Sequence, residues 1–254
     1  FLFCMTAPAL NDLASHTARE KIIISTLENI LCEHVDRIVL EYDYDFEGKL
    51  ITSAKLHEAP GLYFSKLSLA TLKNGDLVSG SMWDKTVKVW CAHTGECKLV
   101  LHNTHSVYTL TVLPNGDLAT GSHDQTIRIW SSYTGECKQV LSRQVLRGHS
   151  CTVWSLVGLS NGYLASGSDD MRIRVWNIDT GEQVHVLKGH IDSVLSLAVL
   201  ANGDLASGSR DNTIGVWNTD TGERKQVLKG HTESVLSLVV LPNGDLASGS
   251  ADAT

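Results

Sequence analysis

Long hydrophobic runs are absent from this 254-residue sequence. No segment approaches the run of about 18 apolar residues that a membrane-spanning helix needs. The apolar opening FLFCMTAPAL lacks the basic residues that begin a signal peptide. We therefore expect no membrane partner and a cytoplasmic location, with the nucleus left open.

Positive charge is outnumbered by negative charge, and cysteine usage is ordinary. Lys and Arg number 21 against 28 Asp and Glu, so the formal net charge is -7. An acidic balance gives no general attraction to the phosphates of a nucleic acid. Six cysteines in a chain of this length fit reduced thiols in a cytosolic protein better than a disulfide framework. We expect a partner other than nucleic acid.

Motifs for nucleotide and metal chemistry are also missing. The sequence has no Walker loop, no dinucleotide fingerprint and no His-Glu-x-x-His pair. Cys91, His93 and Cys97 flank one predicted turn and are of the types that bind zinc. The equivalent positions in the next repeat are Ser131, Tyr133 and Cys137. Because the repeat does not keep the ligands, we expect no metal, no cofactor and no small-molecule substrate.

The sequence does contain a repeated motif, which we call the phrase. It is most complete over residues 186–217, VLKGHIDSVLSLAVLANGDLASGSRDNTIGVW, and other segments repeat it in whole or in part. Asn-Gly pairs recur at intervals of 41, 46, 41 and 41 residues, beginning at Asn74, Asn115, Asn161, Asn202 and Asn243. Each phrase-ending tryptophan is followed by Thr-Gly-Glu; these tryptophans are Trp90, Trp130, Trp176 and Trp217. A period near 40 with Gly-His near the start and Trp near the end is typical of a propeller blade.

The sequence resembles the WD-repeat β-propeller family from about Arg37 to its end. The resemblance implies an all-β propeller with four complete four-stranded blades and a half blade at each end. A capping box at Thr17 and Glu20, followed by an apolar stripe, predicts a short N-terminal helix at about 18–34. We therefore divide the chain into an N-terminal helical segment, 1–36, and a partial propeller, 37–254.

Each phrase predicts four short strands, named a to d from the centre of the ring outward. In the fourth blade they fall at about 193–200, 204–209, 213–217 and 223–228, with Asn-Gly at the a–b turn tolerating positive φ. Before the first blade, Arg37–Tyr42 and Lys49–Leu56 read as strands c and d of a half blade. Five residues are inserted between the second and third blades, where Gln144-Val145-Leu146 nearly repeats the three residues from Gln139.

Closing the ring would pair the two half blades, giving five blades where the family usually has seven. We therefore expect an open arc or a weak closure that associates through free sheet edges. The chain begins at Phe1 and ends at Thr254 inside a phrase, so we also expect it to be a piece of a longer protein.

A set of His, Ser, Asp and Trp recurs in the later phrases. The members are His149, Ser166, Asp170 and Trp176 in the third blade and His190, Ser207, Asp211 and Trp217 in the fourth. These types invite a hydrolase interpretation. The family resemblance instead implies a buried structural network in which Asp bonds His, His bonds the strand-b hydroxyl, and that hydroxyl meets the Trp N–H. In the second blade Asn103 replaces the His.

The position just before the turn Asp varies while its surroundings hardly change. It carries Trp83, His123, Asp169, Arg210 and Ala251 in successive phrases. In WD-repeat proteins this position lies on a face where partner peptides commonly dock, and Trp and Arg are types that contribute much interface energy. Trp83 lies in a b–c turn one residue longer than the others, so we expect it to project.

The resulting functional hypothesis is a non-catalytic interaction scaffold that binds proteins or peptides through Trp83, His123, Asp169 and Arg210. The alternative is the C-terminal sensor or substrate-recognition propeller of a larger signalling NTPase or ubiquitin-ligase adaptor. A nucleotide-binding or ligase-recruiting motif upstream of Phe1 would favour the alternative.

Overall fold

The protein folds as a series of antiparallel β-sheets that follow one another along the chain. The structure is a computed structural model, and it describes residues 39–44, 49–55, 67–142 and 148–252. The predicted helix at 18–34, the 36/37 domain boundary and the near-repeat at 144–146 lie outside these residues. No helix long and apolar enough to span a membrane occurs in this described part of the chain.

Four sheets have four strands each, in the order a-b-c-d, and we call them blades one to four. Blade one contains β3 (Leu67–Thr71), β4 (Leu77–Ser81), β5 (Thr86–Trp90) and β6 (Cys97–His102). Blade two contains β7 (Val107–Val112), β8 (Leu118–Ser122), β9 (Ile127–Trp130) and β10 (Cys137–Leu141). Blade three contains β11 (Val153–Gly158), β12 (Tyr163–Ser168), β13 (Arg172–Asn177) and β14 (Gln183–Lys188). Blade four contains β15 (Val194–Val199), β16 (Leu205–Ser209), β17 (Ile214–Trp217) and β18 (Arg224–Leu228).

Two-stranded sheets flank the four blades in the sequence. The first pairs β1 (Val39–Tyr44) with β2 (Lys49–Lys55), and the last, which we call the terminal pair, joins β19 (Val235–Val240) to β20 (Leu246–Ser250). The strands of blade four match their predicted ranges to within one residue at each end. The longest connection between described blades is 142–152, where the sequence predicts the insertion.

Neighbouring blades stack through their inner strands, and the hydrophobic core lies between them. In blades two, three and four and in the terminal pair, strand a contacts strands a and b of the sheet before it. Each of the four core clusters draws on two consecutive sheets: Ile173 and Leu187 of blade three, for example, share a cluster with Val194 and Trp217 of blade four. Inner strands are therefore buried on both faces, which explains why β8 and β16 consist of leucine and small residues.

A glycine in strand b sets how closely two blades approach. A Cβ built on Gly167 would lie 2.7 Å from Cγ1 of Val194 and 3.2 Å from its carbonyl oxygen. A Cβ built on Gly80, Gly121 or Gly208 would likewise lie 2.7 to 2.9 Å from Cγ1 of the corresponding valine in the next sheet. Only hydrogen fits at these positions. Gly249 of the terminal pair differs, because its Cβ would meet nothing closer than Ser237 at 3.9 Å.

The a–b turns differ in detail from the tight Asn-Gly turn that the sequence predicts. In blade four, Gly203 donates to the Leu200 carbonyl at 2.9 Å, and Leu200 donates to the Asp204 carbonyl at 2.8 Å. Positive φ is confined to the glycine, at 83° for Gly203. The side chain of Asn202 accepts a bond from the Asp204 amide at 3.0 Å. Its role is thus to hydrogen-bond the turn rather than to adopt a left-handed conformation.

Candidate partner-binding face

The b–c turn of blade three is held by a chain of buried side chains. His149 Nδ1 lies 2.9 Å from Asp170 Oδ2, and His149 Nε2 lies 2.7 Å from Ser166 Oγ. Trp176 Nε1 donates to the same Ser166 oxygen at 2.8 Å. These contacts run in the order that the family resemblance implies. They assign the tautomer in which Nδ1–H donates to Asp170 while Nε2 accepts the serine proton.

Blade four repeats these contacts with similar lengths. His190 lies 2.8 Å from Asp211 and 2.8 Å from Ser207, and Trp217 Nε1 donates to Ser207 Oγ at 2.7 Å. In the terminal pair the same bonds join His231 to Asp252 at 3.0 Å and to Ser248 at 2.8 Å. Three successive sheets therefore hold their b–c turns in one geometry.

Burial and hydrogen bonding set the charges within this network. Burial lowers the pKa of His149, although its bond to Asp170 opposes the shift. Burial would raise the pKa of Asp170, but hydrogen bonds led by that of His149 outweigh it and lower the pKa. The pKa of Asp211 is lowered too, with bonds from Thr213 and His190 outweighing burial. A neutral imidazole donating to a carboxylate is the state that both directions favour in blade three.

The serines of these networks are closed to substrate. Ser166 and Ser207 are 0% exposed, and His149 and His190 are 1% and 4% exposed. A catalytic serine must reach a carbonyl carbon, whereas each of these hydroxyls already contacts a histidine and a tryptophan. The geometry is that of a packed structural network.

Blade two holds its turn by other bonds. Asn103 stands in place of the histidine. Its amide nitrogen donates to the His105 carbonyl at 3.1 Å, and its buried Oδ1 finds no partner within the described segments. Asp124 instead receives bonds from Thr104, Thr126 and Arg128. Despite burial, these bonds, led by that of Arg128, hold the Asp124 pKa well below its ordinary range. His105 lies on the surface, and its Nδ1 is 3.4 Å from Asp124 Oδ2.

The backbone at the variable position is fixed in the same way in four sheets. The amide of each variable residue donates to the carbonyl of the residue just before strand a. The bonds join His123 to Ser106 at 3.1 Å, Asp169 to Thr152 at 3.1 Å, Arg210 to Ser193 at 2.9 Å and Ala251 to Ser234 at 3.0 Å. The side chains thus differ while their attachment points do not. We call the surface formed by these turns the b–c face.

His123 and Arg210 are exposed on this face, and Asp169 is half-buried. The Arg210 guanidinium donates to Ser193 Oγ at 3.4 Å, which leaves most of its donors available. Oδ1 of Asp169 is buried and has no hydrogen-bond partner in the described part of the chain.

Trp83 is placed differently from its predicted counterparts. Met82 follows the strand-ending Ser81 as His123 follows Ser122, so Trp83 is the additional residue of the longer turn. Rather than projecting freely, Trp83 is half-buried, and its Nε1 is buried with no acceptor among the residues that the structure describes. Its amide donates to Ser81 Oγ at 3.1 Å, as the residue two positions after the strand-ending serine also does in blades three and four.

Two aromatic residues that sequence reasoning missed lie near His123, the variable residue of blade two. Tyr108 and Trp154 are the second residues of β7 and β11, and their ring centroids lie 4.5 Å apart at 58°. The strand pairing shifts register at both residues, as a β-bulge does. The signal that could have found them is an aromatic residue where the later blades have Leu195 and Leu236.

The same face also exposes aliphatic side chains. Ile191, which follows the network histidine of blade four, is 82% exposed, and Met171, which follows the network Asp of blade three, is 43% exposed. Exposed apolar residues beside charged ones are a composition that partner surfaces share.

The model of the WD domain, G-beta repeat, matches this chain five times, at residues 64–91, 95–131, 139–177, 181–218 and 222–254. The chain belongs to the WD-repeat family. Its fold is similar to the crystal structure of the WD40 beta propeller domain of Doa1, with a TM-score of 0.65 and 30% sequence identity. That match covers 73% of this chain and 60% of the Doa1 chain. No curated protein sequence matches the chain.

WD repeats take their name from a Trp-Asp pair, and this chain replaces the Asp in every blade. Asn177 and Asn218 stand there in blades three and four, and each accepts two backbone N–H bonds of the c–d turn, at 2.8 to 3.1 Å. Ser131 accepts one, from Thr134, at 3.1 Å. An amide or hydroxyl oxygen therefore performs the turn-capping that a carboxylate would perform.

Cys91 occupies this position in blade one, on the side of the sheet away from the b–c face. Within the described residues no group of three or more His, Cys, Asp or Glu side chains could hold a metal ion.

Proposed function

We propose that this chain is a non-catalytic scaffold that binds partner proteins or peptides through its b–c face. The observation that carries the proposal is the contrast between a constant backbone and variable side chains. Four successive turns make the same backbone bond, yet the side chains there are an imidazole, a carboxylate, a guanidinium and a methyl group. A rigid frame with variable, accessible side chains favours recognition because little entropy is lost on binding.

The chemistry of the face suits a protein better than a nucleic acid. Arg210 offers a planar fork for a carboxylate or phosphate group, while Asp169 carries the opposite charge. Ile191 and Met171 add exposed apolar area. A nucleic-acid groove would require one sign of charge, whereas mixed charge with apolar area fits a protein or peptide.

The test compares binding by variants of the b–c face with binding by variants of the opposite a–b turns. The full chain carrying Arg210→Glu is compared with Ala201→Glu, an exposed position in the a–b turn of the same blade. Trp83→Ala is paired with Ser160→Arg, which is exposed in the a–b turn of blade three. Circular dichroism and thermal unfolding first establish that each variant folds.

We expect Arg210→Glu and Trp83→Ala to weaken partner binding by about tenfold or more, as central interface residues do. Ala201→Glu and Ser160→Arg should bind as the unaltered chain does. If the a–b variants lose the partners while the b–c variants keep them, the binding face is assigned to the wrong side.

A further inference from the structure

Three rings and one carboxylate lie together on the b–c face, at the junction of blades two and three. Tyr108 is in the middle, with the Trp154 centroid 4.5 Å away and the His123 centroid 6.1 Å away. Asp169 lies in the b–c turn of blade three. It directly follows Ser168, the last residue of strand b, which pairs with Val153. We call Tyr108, Trp154 and Asp169 the aromatic–acidic cluster.

The strand bulges bring this cluster together. At Tyr108 and Trp154 the partner strand has no opposing residue, because the pairing passes from Val107 to Thr109 and from Val153 to Ser155. Bulges re-aim a side chain away from the regular alternation. Leu195 lies in the corresponding bulge of blade four. The aromatic residues are therefore a property of two particular blades and are not required by the repeat.

Among the described residues, no donor reaches Oδ1 of Asp169. Its Oδ1 is buried and accepts no hydrogen bond, and it forms no ion pair within the described residues. The neighbouring Asp124 differs, because Arg128 and Thr104 both donate to it. A shielded carboxylate oxygen without a partner is costly, so a donor brought by a ligand would be favoured there.

Burial and the negative charge of the Asp169 carboxylate both affect the pKa of Tyr108. Burial raises the pKa of Tyr108, and the negative charge of Asp169 raises it further. The backbone geometry agrees, because the Asp169 amide donates to the carbonyl of Thr152, two residues before Trp154, at 3.1 Å. The faces of Tyr and Trp rings carry negative potential and attract cations, and a nearby carboxylate adds to that attraction.

We propose that the aromatic–acidic cluster binds a cationic side chain, Lys or Arg, of the peptide that docks on the b–c face. The cation lies over the Tyr108 and Trp154 rings and donates to Asp169. This assignment rests on the proposed function and specifies the chemistry of its partner. The net charge of -7 supports it, because an acidic protein attracts basic peptides over distance.

Arg210 and Arg128 lie on or near this face, and neither takes the place of a cationic ligand at the cluster. Arg210 lies in the next blade and is bonded to Ser193, and Arg128 is engaged with Asp124. The charge of Arg128 is balanced by Asp124, whereas the positive charge of Arg210 disfavours a second cation in blade four and leaves Arg210 for an acidic group of the partner.

The test titrates the full chain with three capped tripeptides, Ala-Arg-Ala, Ala-Lys-Ala and Ala-Gln-Ala. The signal followed is the indole N–H resonance of Trp154 in the nitrogen–proton NMR spectrum. We expect saturable shifts with the Arg or Lys peptide, and at least tenfold weaker binding of the Gln peptide.

Two variants locate the site, with affinities measured by calorimetry. Asp169→Asn preserves the shape and removes the charge, and Trp154→Leu copies the residue that blade four carries in the same bulge. Each should weaken binding of the cationic peptides by about fivefold to tenfold. Asp220→Asn, exposed on the opposite face, is the matched charge control and should change nothing.

Equal binding of the Arg, Lys and Gln peptides, or unchanged affinity in Asp169→Asn and Trp154→Leu, overturns the cation assignment. The proposed function fails separately, when Arg210→Glu and Trp83→Ala both keep the protein partner. If Arg210→Glu loses that partner while Asp169→Asn and Trp154→Leu keep it, the face binds proteins without a cation at this cluster, and the inference is wrong.

Discussion

The strand-b hydroxyl joins the side chains of each complete network. Ser207 contacts both His190 and Trp217, so loss of the imidazole removes one of its partners and one donor of Asp211. His190→Ala should therefore lower the free energy of unfolding by about 1–3 kcal/mol. Asn103→Ala should cost less than about 1 kcal/mol, because Asn103 already has an unpartnered Oδ1. Chemical denaturation measures both, and equal losses would show that the register or the role of Asn103 is wrong.

The neutral state of His149 predicts a pH dependence. Its pKa is lowered in the folded protein, mainly by burial. The unfolded chain therefore takes up a proton on this histidine below about pH 6.5, while the folded protein does not. Stability should fall as the pH is lowered from about 7.5 to 5.5. Below about pH 4 the lowered pKa of Asp170 adds a second loss.

Urea denaturation at several pH values checks this dependence, with His149→Gln as the control. The variant should be less stable at pH 7.5 and should lose less stability on acidification. A stability that is constant or rises between pH 7.5 and 5.5, or an unchanged slope in the variant, would contradict the assignment of a neutral His149.

At the level of strands, one glycine in strand b controls how blades stack. Gly167→Ala would place a methyl group 2.7 Å from Val194 and 3.2 Å from a backbone oxygen, so a strand must move. We expect a loss of about 1–3 kcal/mol in the free energy of unfolding. Gly249→Ala is the matched control, since its Cβ has room, and it should change stability by less than about 0.5 kcal/mol. Similar losses in both would show that strand propensity, and not blade contact, explains the glycine.

The repeat made the strands predictable, but not every side chain. Periodic Asn-Gly and Trp residues placed the strands of blade four to within one residue. The same periodicity cannot reveal a bulge, because a bulge changes the pairing without changing the spacing. Tyr108 and Trp154 were missed for that reason. The repeat has no counterpart for the added residue of the blade-one turn, so it could not place the Trp83 side chain, which is half-buried.

At the scale of the whole molecule, the two-stranded terminal pair predicts that copies of the chain associate with one another. The terminal pair has two strands within the described residues, and Gly249 meets no neighbouring blade there. Unpaired strand edges and open sheet faces favour contact with other copies. The isolated chain should therefore have an apparent mass above 27.6 kDa that rises with concentration. Light scattering measures this, and a monodisperse monomer with one highly cooperative unfolding transition would contradict it.

The central claim is that partners bind the b–c face, and site-specific photocrosslinking tests it most directly. A photoreactive amino acid is placed at His123 in one version of the chain and at Asn202, in the a–b turn of blade four, in another. Both versions are irradiated in the native cell, and the crosslinked products are compared. We expect a discrete partner protein joined through position 123 and absent from position 202. Crosslinking of that partner through position 202 alone would contradict the account.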